Sequence, residues 1–307
     1  MSAIVARCKA ARLGLVCKMR DPTIRPLEAS TVDGNAADAR AAGPILTIRG
    51  VHQEFSARSG EVVAALDNIN LEIAAGEFVA FVGISGCGKT TLMKIVGGLI
   101  SPTHGDIIYK GERVTGPIDD LGIVFQKPVL LEWRTVLRNI TLQTSMRGLG
   151  GAAEQRRLAE DLLGRVGLAG YGDRFPWELS GGQQQRVSLC RALVHSPGLL
   201  LMDEPFGALD ALTREQLQRD LERMWLAQKP TVLFVTHDVG EAVCLADRVV
   251  VLAGKPGTVV ANIPIGVGRA RGADLLNNSK LQAYAKEVRS VLLPNEAKAD
   301  TVLTMTG

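Results

Sequence analysis

Five short segments between residues 83 and 238 carry residue types that handle phosphate groups. The first, GISGCGKTT (83–91), fits the pattern G-x-x-x-x-G-K-[ST], in which backbone N–H groups surround phosphates and a lysine reaches their terminal oxygens. The others are VFQ (124–126), LSGGQ (179–183), LLLMDE (199–204) and VTHD (235–238). Their order and close spacing predict chemistry on a nucleoside triphosphate.

The first segment supplies a complete phosphate-binding loop. Gly83, Gly86 and Gly88 let the backbone approach phosphates without an intervening Cβ, at the positive end of the helix that follows. Lys89 supplies a mobile charge for the β- and γ-phosphates, and the Thr90 hydroxyl suits Mg²⁺. The other predicted ATP-binding positions of the loop are Ser85, Cys87 and Thr91.

Candidate catalytic groups stand at the ends of later predicted strands. Asp203 can hold Mg²⁺ through water, and Glu204 is placed to polarise the water that attacks the γ-phosphate. The alternative is that the two carboxylates only cap a strand. Gln126 can sense Mg²⁺ and the water, while His237 can contact the γ-phosphate and orient Glu204, although a lone histidine is more often structural. The predicted catalytic residues are therefore Lys89, Gln126, Glu204 and His237, and the predicted metal ligands are Thr90, Gln126 and Asp203.

LSGGQ predicts a second anion site. Ser180 is a good N-cap for a helix over residues 180–196, and Gly181 and Gly182 expose backbone N–H groups at its positive end. The alternative is that Ser180 caps only its own helix. Two phosphate sites in one chain make sense if each completes a pocket on a second copy.

An alternation of strands and helices positions these groups. The unalternating apolar runs at 199–203, 231–237 and 248–252 are typical of strands covered on both faces, so they predict an α/β fold with a mainly parallel sheet. Further strands are predicted at 45–51, 62–73, 77–83, 107–114 and 121–125. Helices are predicted from the phosphate loop to about residue 99, over 153–167, after a capping box at Thr213-x-x-Gln216, and over 279–292.

The net charge, the apolar runs and the cysteine count argue against several classes of protein. The formal charge of +3 argues against a nucleic-acid-binding surface, and no apolar run approaches the ~18–20 residues of a membrane helix. Five cysteines, an odd number with no Cys-x-x-Cys pair, favour a reducing cytoplasm. Cys87 lies in the phosphate loop, where it is either an oxidisable thiol or, in the favoured interpretation, simply a small residue that fits there.

Together with the loop GALD (207–210), these segments resemble the nucleotide-binding subunit of ATP-binding-cassette (ABC) transporters, over about residues 45–260. The resemblance implies a P-loop NTPase of the ABC type, with an antiparallel β subdomain and a helical subdomain inserted at about 127–190. It implies ATP hydrolysis with Mg²⁺ in a head-to-tail homodimer. The residues implied to face the ATP of the other copy are Ser180, Gly181, Gly182, Gln183 and Asp210. Phe55 matches the aromatic residue that stacks on adenine, with an ordinary sheet phenylalanine as the alternative.

Residues 130–140, 202–215 and 255–265 are similar to importers of nitrate, taurine and alkanesulfonates. That branch implies two membrane permease subunits, an extracytoplasmic solute-binding protein, and a peripheral position on the cytoplasmic face of the membrane. The segment 129–134 is expected to lie near the surface that docks the permeases, with Trp133 as either an interface anchor or a core residue. An exporter remains the alternative. A soluble ATPase of repair or translation fits less well, since only about 90 residues separate Lys89 from Ser180 and the chain has one cassette.

Three regions are predicted along the chain. Residues 1–43 are basic at first and then alanine-rich, which predicts a disordered extension; a transit peptide, or a true start at Met19, are the alternatives. Residues 44–260 form the nucleotide-binding domain. Residues 261–307 are predicted to be a tail with an amphipathic helix.

Overall fold

The computed structural model of the protein describes residues 43–56, 60–269, 271 and 278–304, with side chains as far as residue 293. The predicted extension, its alternative start at Met19, Cys8 and Cys17 lie outside the described residues. Within them, no helix is long and apolar enough to cross a membrane. The three described cysteines, Cys87, Cys190 and Cys244, are buried.

The main sheet has six strands in the order β10-β9-β3-β8-β7-β6. Five of them run parallel, and β10 joins β9 antiparallel at one edge. Every residue of β3 and β8 is buried, because both faces of the sheet are covered, and this confirms the predicted parallel core. The strands are β3 (Phe78–Gly83), β6 (Leu121–Val124), β7 (Leu199–Asp203), β8 (Thr231–Thr236), β9 (Arg248–Ala253) and β10 (Thr258–Pro264).

A second sheet is antiparallel, with the order β2-β1-β4-β5. Its strands are β1 (Leu46–Ser56), β2 (Val62–Ile73), β4 (His104–Tyr109) and β5 (Glu112–Arg113). The predicted strand at 107–114 is wrong as a single element, because the chain turns back at Lys110 and Gly111, which both have positive φ angles. Strand β1 also continues five residues beyond its predicted end at 51.

Helices cover the main sheet and build the inserted subdomain. They are α1 (Lys89–Val96), α2 (Val136–Ile140), α3 (Leu142–Met146), α4 (Ala152–Arg165), α5 (Gly181–Leu193), α6 (Ala211–Gln228), α7 (Val239–Leu245) and α8 (Ser279–Thr304). The predicted capping box at Thr213 is wrong: α6 begins earlier, with Asp210 as N-cap, and the Asp210 carboxylate accepts a hydrogen bond from the backbone N–H of Thr213 at 3.0 Å. The aspartate competes successfully because its charged oxygen is the stronger acceptor.

The C-terminal region packs on the main sheet. The expected boundary after residue 260 falls inside β10, which ends at Pro264. Helix α8 lies against α7 and β9, and it buries one face in the same apolar cluster as the sheet. The residues of that face are Leu281, Ala285, Val288 and Leu292. Their spacing of i, i+4, i+7 and i+11 is the helical period, so the amphipathic pattern in the sequence corresponds to core packing.

Candidate functional site

The candidate catalytic groups lie at one edge of the main sheet. Strands β3, β8, β7 and β6 are consecutive neighbours and all point the same way. Lys89 follows β3, His237 follows β8, Asp203 and Glu204 end and follow β7, and Gln126 lies two residues beyond β6. Since the carboxyl ends of parallel strands meet at one edge, residues more than a hundred positions apart come together there.

The phosphate loop is shaped around Lys89. The lysine is only 6% exposed, and its Nζ donates hydrogen bonds to the carbonyl oxygens of Gly83 at 2.7 Å and Ile84 at 3.0 Å. These bonds fold the side chain back along its own loop. The third ammonium donor faces Sγ of Cys87 at 4.0 Å, a weak acceptor that a phosphate oxygen can replace.

Gly88 is required by the geometry of this loop. Its φ angle is +90°, and a Cβ at this position would lie 2.5 Å from Cδ2 of Leu66 and 2.7 Å from the carbonyl oxygen of Ala65. Both neighbours belong to β2, so the antiparallel sheet packs directly against the start of α1. Ser85 and Gly86, at the tip of the loop, are exposed. Cys87 is fully buried, and burial raises the pKa of its thiol.

Thr90 and Asp203 form the pair expected of a magnesium site. The Thr90 hydroxyl donates to Oδ1 of Asp203 at 3.0 Å, across 113 positions of sequence. Burial raises the pKa of Asp203, an effect that the hydrogen bond from Thr90 opposes. A hydroxyl and a carboxylate are oxygen ligands of the kind that Mg²⁺ prefers, and a cation beside Asp203 would favour its ionised form.

Glu204 is held beside His237 and Gln126. Its Oε2 lies 3.2 Å from Nδ1 of His237 and 3.4 Å from Nε2 of Gln126. The backbone of Glu204 has a φ angle of 44°, in the left-handed region, and its N–H donates to the carbonyl of Val235 in β8 at 2.9 Å. This unusual conformation for a non-glycine residue turns the carboxylate toward the histidine. Such strain costs ~1–3 kcal/mol and is concentrated at functional sites.

LSGGQ forms the N-terminus of α5, as the sequence predicts. The Ser180 hydroxyl accepts from the N–H of Gln183 at 3.4 Å, and Oε1 of Gln183 accepts from the N–H of Ser180 at 2.9 Å. This reciprocal cap leaves Ser180 and Gly181 exposed. A Cβ on Gly182 would lie 2.5 Å from Cγ2 of Thr213, in the first turn of α6.

The two helices whose N-termini are candidate phosphate-binding sites, α1 and α5, pack on different elements. Helix α5 packs on β6 and on the helices α2, α4 and α6, while α1 packs on β2, β3, β7 and β8. Asp210, the N-cap of α6, is exposed, and its hydrogen bonds with Thr213 hold the pKa of its carboxyl below the ordinary value.

Two exposed aromatic side chains bear on the sequence predictions. Phe55, near the end of β1, is 46% exposed and pairs with Val63 of β2, which is 51% exposed. It therefore presents an apolar surface beside the antiparallel hairpin. Trp133 is 74% exposed, so the alternative of a core residue is wrong. It lines a groove of about 410 Å³, together with Arg134, Arg138, Thr141 and Ser145.

Three polar residues that were not predicted hold the segment between Gln126 and this groove. On α5, Gln185 donates to the carbonyl of Phe125 at 3.0 Å, and Arg191 donates to the carbonyls of Pro128 at 2.8 Å and Val129 at 2.7 Å. Burial lowers the pKa of Arg191.

Asn139 on α2 is fully buried and holds the second half of the segment. Its side-chain oxygen accepts from the N–H of Leu131 at 2.8 Å, and its amide donates to the carbonyls of Leu131, Arg134 and Thr135 at 2.9–3.1 Å. Polar residues on otherwise apolar helix faces were the signal in the sequence, because a buried amide or guanidinium needs partners.

A doubly covered parallel sheet with a lysine loop after one strand and a carboxylate pair after another defines the P-loop NTPases. The second exposed helix N-terminus, carried by an inserted helical subdomain, narrows the class to the ATP-binding cassettes.

Comparison with known proteins agrees with this class. Residues 66–207 match the family model described as ABC transporter. An uncharacterized ABC transporter ATP-binding protein of Methanocaldococcus jannaschii is 45% identical over 76% of this chain and 86% of its own length. A taurine import ATP-binding protein of Mesorhizobium japonicum is 44% identical over 70% of this chain and 83% of its own length. An aliphatic sulfonates import ATP-binding protein of Pseudomonas fluorescens is 43% identical over 83% of this chain and 89% of its own length.

A solved structure is also similar. The dimeric structure of a post-hydrolysis state of an ATP-binding cassette bound to ADP and Pi superposes with a TM-score of 0.65, at 33% identity, covering 73% of this chain and all of that one. The chain belongs to the ATP-binding proteins of ABC transporters. It binds ATP and hydrolyses it.

Proposed function

We propose that this protein is the ATPase subunit of an importer for a small sulfonate, such as taurine or an aliphatic sulfonate. The observation that carries the catalytic part is the contact of Glu204 with His237, one residue from the pair of Asp203 with Thr90. The names of the relatives from Mesorhizobium and Pseudomonas support the substrate class and the direction of transport.

Each group at the sheet edge has a role in this proposal. Lys89 and the N–H groups of the phosphate loop bind the β- and γ-phosphates, with the remaining loop positions in support. Glu204 accepts a proton from the attacking water, whose oxygen bonds to the γ-phosphorus as the bond to the leaving ADP oxygen breaks. His237 holds the Glu204 carboxylate and contacts the γ-phosphate, and Gln126 senses the water.

Thr90, Asp203 and Gln126 would hold Mg²⁺, which neutralises charge on the β- and γ-oxygens when bound. Phe55 stacks on the adenine. The half-exposed ring beside an apolar strand pair fits this role, because an aromatic face exposed to water gains free energy when a base covers it.

The exposed cap of α5 supports a head-to-tail homodimer. The reciprocal cap of Ser180 with Gln183 uses the backbone N–H groups of those two residues. A γ-phosphate bound by a second copy would accept from the N–H groups of the glycines between them. Asp210 would lie at the same interface. The dimeric form of the similar cassette supports this arrangement.

The groove at Trp133 is the proposed docking surface for two permease subunits. An exposed tryptophan with two arginines is a composition enriched at protein interfaces, and the buried bonds of Asn139 keep the loop rigid. The protein would then be peripheral on the cytoplasmic face of the membrane, and an extracytoplasmic binding protein would deliver the solute.

The catalytic assignment is tested with Glu204→Gln. The amide cannot accept the proton of the water, so we expect ATP binding to persist and turnover to fall by ~10²-fold or more, with a stable ATP-dependent dimer. Glu112→Gln, an exposed carboxylate on β5, is the control and should behave like the wild type. Turnover of Glu204→Gln at the wild-type rate would refute the role of Glu204.

The substrate class is tested by uptake of labelled taurine, an alkanesulfonate and nitrate in cells whose only copy is Glu204→Gln. Loss of sulfonate uptake alone is the expected result. Loss of nitrate uptake alone would move the protein to another solute class, and unchanged uptake with accumulation of an internal solute would indicate export.

A further inference from the structure

Glu241 is a buried carboxylate that the proposed reaction does not use. It lies in the first turn of α7, four residues after His237, and its side chain is only 7% exposed. Its Oε2 accepts a hydrogen bond of 2.6 Å from the Thr236 hydroxyl, and its Oε1 lies 3.7 Å from Nε of Arg214. Burial raises the pKa of Glu241 to about 7. Because burying a carboxylate costs free energy, a purely structural position here would favour an amide or an apolar residue.

On one side, Glu241 controls the backbone that carries His237. The Thr236 hydroxyl has a single proton, and it donates this proton to Glu241. The same oxygen accepts from the N–H of Asp238 at 3.0 Å. The residues before and after His237 are therefore joined through one hydroxyl, and Glu241 fixes the orientation of that hydroxyl.

On the other side, Arg214 connects Glu241 to the loop that carries Asp210. Its Nη2 donates to the carbonyl of Leu209 at 3.0 Å, and its backbone N–H donates to the carbonyl of Asp210 at 2.9 Å. The buried Nε of Arg214 has no hydrogen-bond partner among the described residues. A shift of roughly 0.7 Å toward Glu241 would bring it within ordinary hydrogen-bond distance.

We propose that Glu241 is a positioning residue for ATP hydrolysis, which holds His237 through Thr236 and links it through Arg214 to the loop of Asp210. The link rests on the proposed homodimer, in which that loop faces the other copy. Movement of the loop when the dimer closes is then transmitted to the histidine that orients Glu204. Hydrolysis at one site thus depends on the presence of the second copy.

The test compares Glu241→Ala and Glu241→Gln with the wild type in the full-length protein, by steady-state ATPase rates, ATP affinity and thermal melting. The alanine variant loses the acceptor for Thr236, so we expect kcat to fall at least tenfold while KM for ATP stays within twofold. The glutamine variant keeps that acceptor but loses the charge facing Arg214, and its kcat should lie between the two. Glu215→Gln, an exposed neighbour of Arg214 on α6, is the matched control and should stay within twofold of the wild type.

The link through Arg214 is tested by a double-mutant cycle. If the two side chains act in one path, Arg214→Ala combined with Glu241→Ala lowers kcat no further than the more damaging single substitution. Additive losses would overturn the link. A kcat within twofold in Glu241→Ala, or a loss of kcat matched by a lower Tm and weaker ATP binding, would overturn the positioning role. The proposed function would instead be refuted if the wild type did not bind ATP and the Glu204→Gln variant did not form a dimer with ATP.

Discussion

Replacing Glu241 with glutamine should make the folded protein more stable at alkaline pH, even as it lowers turnover. Burial raises the pKa of this carboxyl from its ordinary 4.5 to about 7, and the negative charge of Asp238 adds to the rise. Thr236, Arg214 and His237 oppose the rise because they favour the ionised form. The folded protein therefore binds the proton more tightly than the unfolded chain. The stability that this proton provides is lost as the pH rises from about 4.5 to about 7.

The size of this change in stability follows from the pKa shift of Glu241. Each pKa unit corresponds to about 1.4 kcal/mol, so ionising Glu241 in the folded protein costs about 3 kcal/mol more than in the unfolded chain. Glutamine has the same shape and cannot ionise, so the variant avoids this cost. Its gain over the wild type should be about 2–3 kcal/mol larger at about pH 8 than at about pH 5.

Urea unfolding of the full-length protein without nucleotide, at these two pH values, measures the difference. The free energy of unfolding comes from the midpoint and the slope of each transition. Glu215→Gln is the control, because its carboxylate is exposed, and it should change stability by less than ~0.5 kcal/mol at both pH values. If Glu241→Gln is no more stable relative to the wild type at pH 8 than at pH 5, the reasoning from burial is refuted.

Other substitutions test the loop, the adenine contact and the C-terminal helix. Gly88→Ala should abolish ATP binding, because the added Cβ would collide with β2. Gly111→Ala is the control: its φ angle is similarly positive, but the space around it is open, so it should keep full affinity. Equal affinities of the two variants for ATP in calorimetry would contradict this reasoning. Phe55→Ala should raise KM for ATP ~5-fold with kcat unchanged, since stacking contributes ~1 kcal/mol. Phe55→Tyr keeps the ring and should have the KM of the wild type. An unaltered KM in Phe55→Ala would place the stacking residue elsewhere. Leu281→Ala should cost ~2–5 kcal/mol of stability because the side chain is fully buried, and a melting temperature equal to that of the exposed control Lys286→Ala would disprove the packing of α8.

The sequence predicted the parts of the fold that depend on local pattern. Fully buried strands read as continuous apolar runs, so the parallel core could be recognised from residues 199–203 and 231–237. The order of the strands brings Lys89 and Asp203 to one edge, and the short motifs identified both residues.

Errors arose where two local signals competed or where the partner is distant. Asp210 and Thr213 are both good helix caps, and only the folded structure shows that the helix starts at the first of them. Arg191 finds its partners more than 60 positions away, at Pro128 and Val129. Its place on an otherwise apolar helix face indicates that the guanidinium needs partners, but nothing in its own neighbourhood of sequence says which residues they are.

The three hydrogen bonds from α5 to the segment after β6 have a mechanical consequence. Gln185 and Arg191 are six residues apart on the helix, about 9 Å, so together they prevent the segment at 125–129 from sliding or pivoting on it. We therefore expect Ser180, at one end of α5, and the segment leading to Trp133 to move together. Under the proposed function, replacing Arg191 would leave Ser180 and Trp133 in place but would uncouple ATP hydrolysis from the movement of the groove.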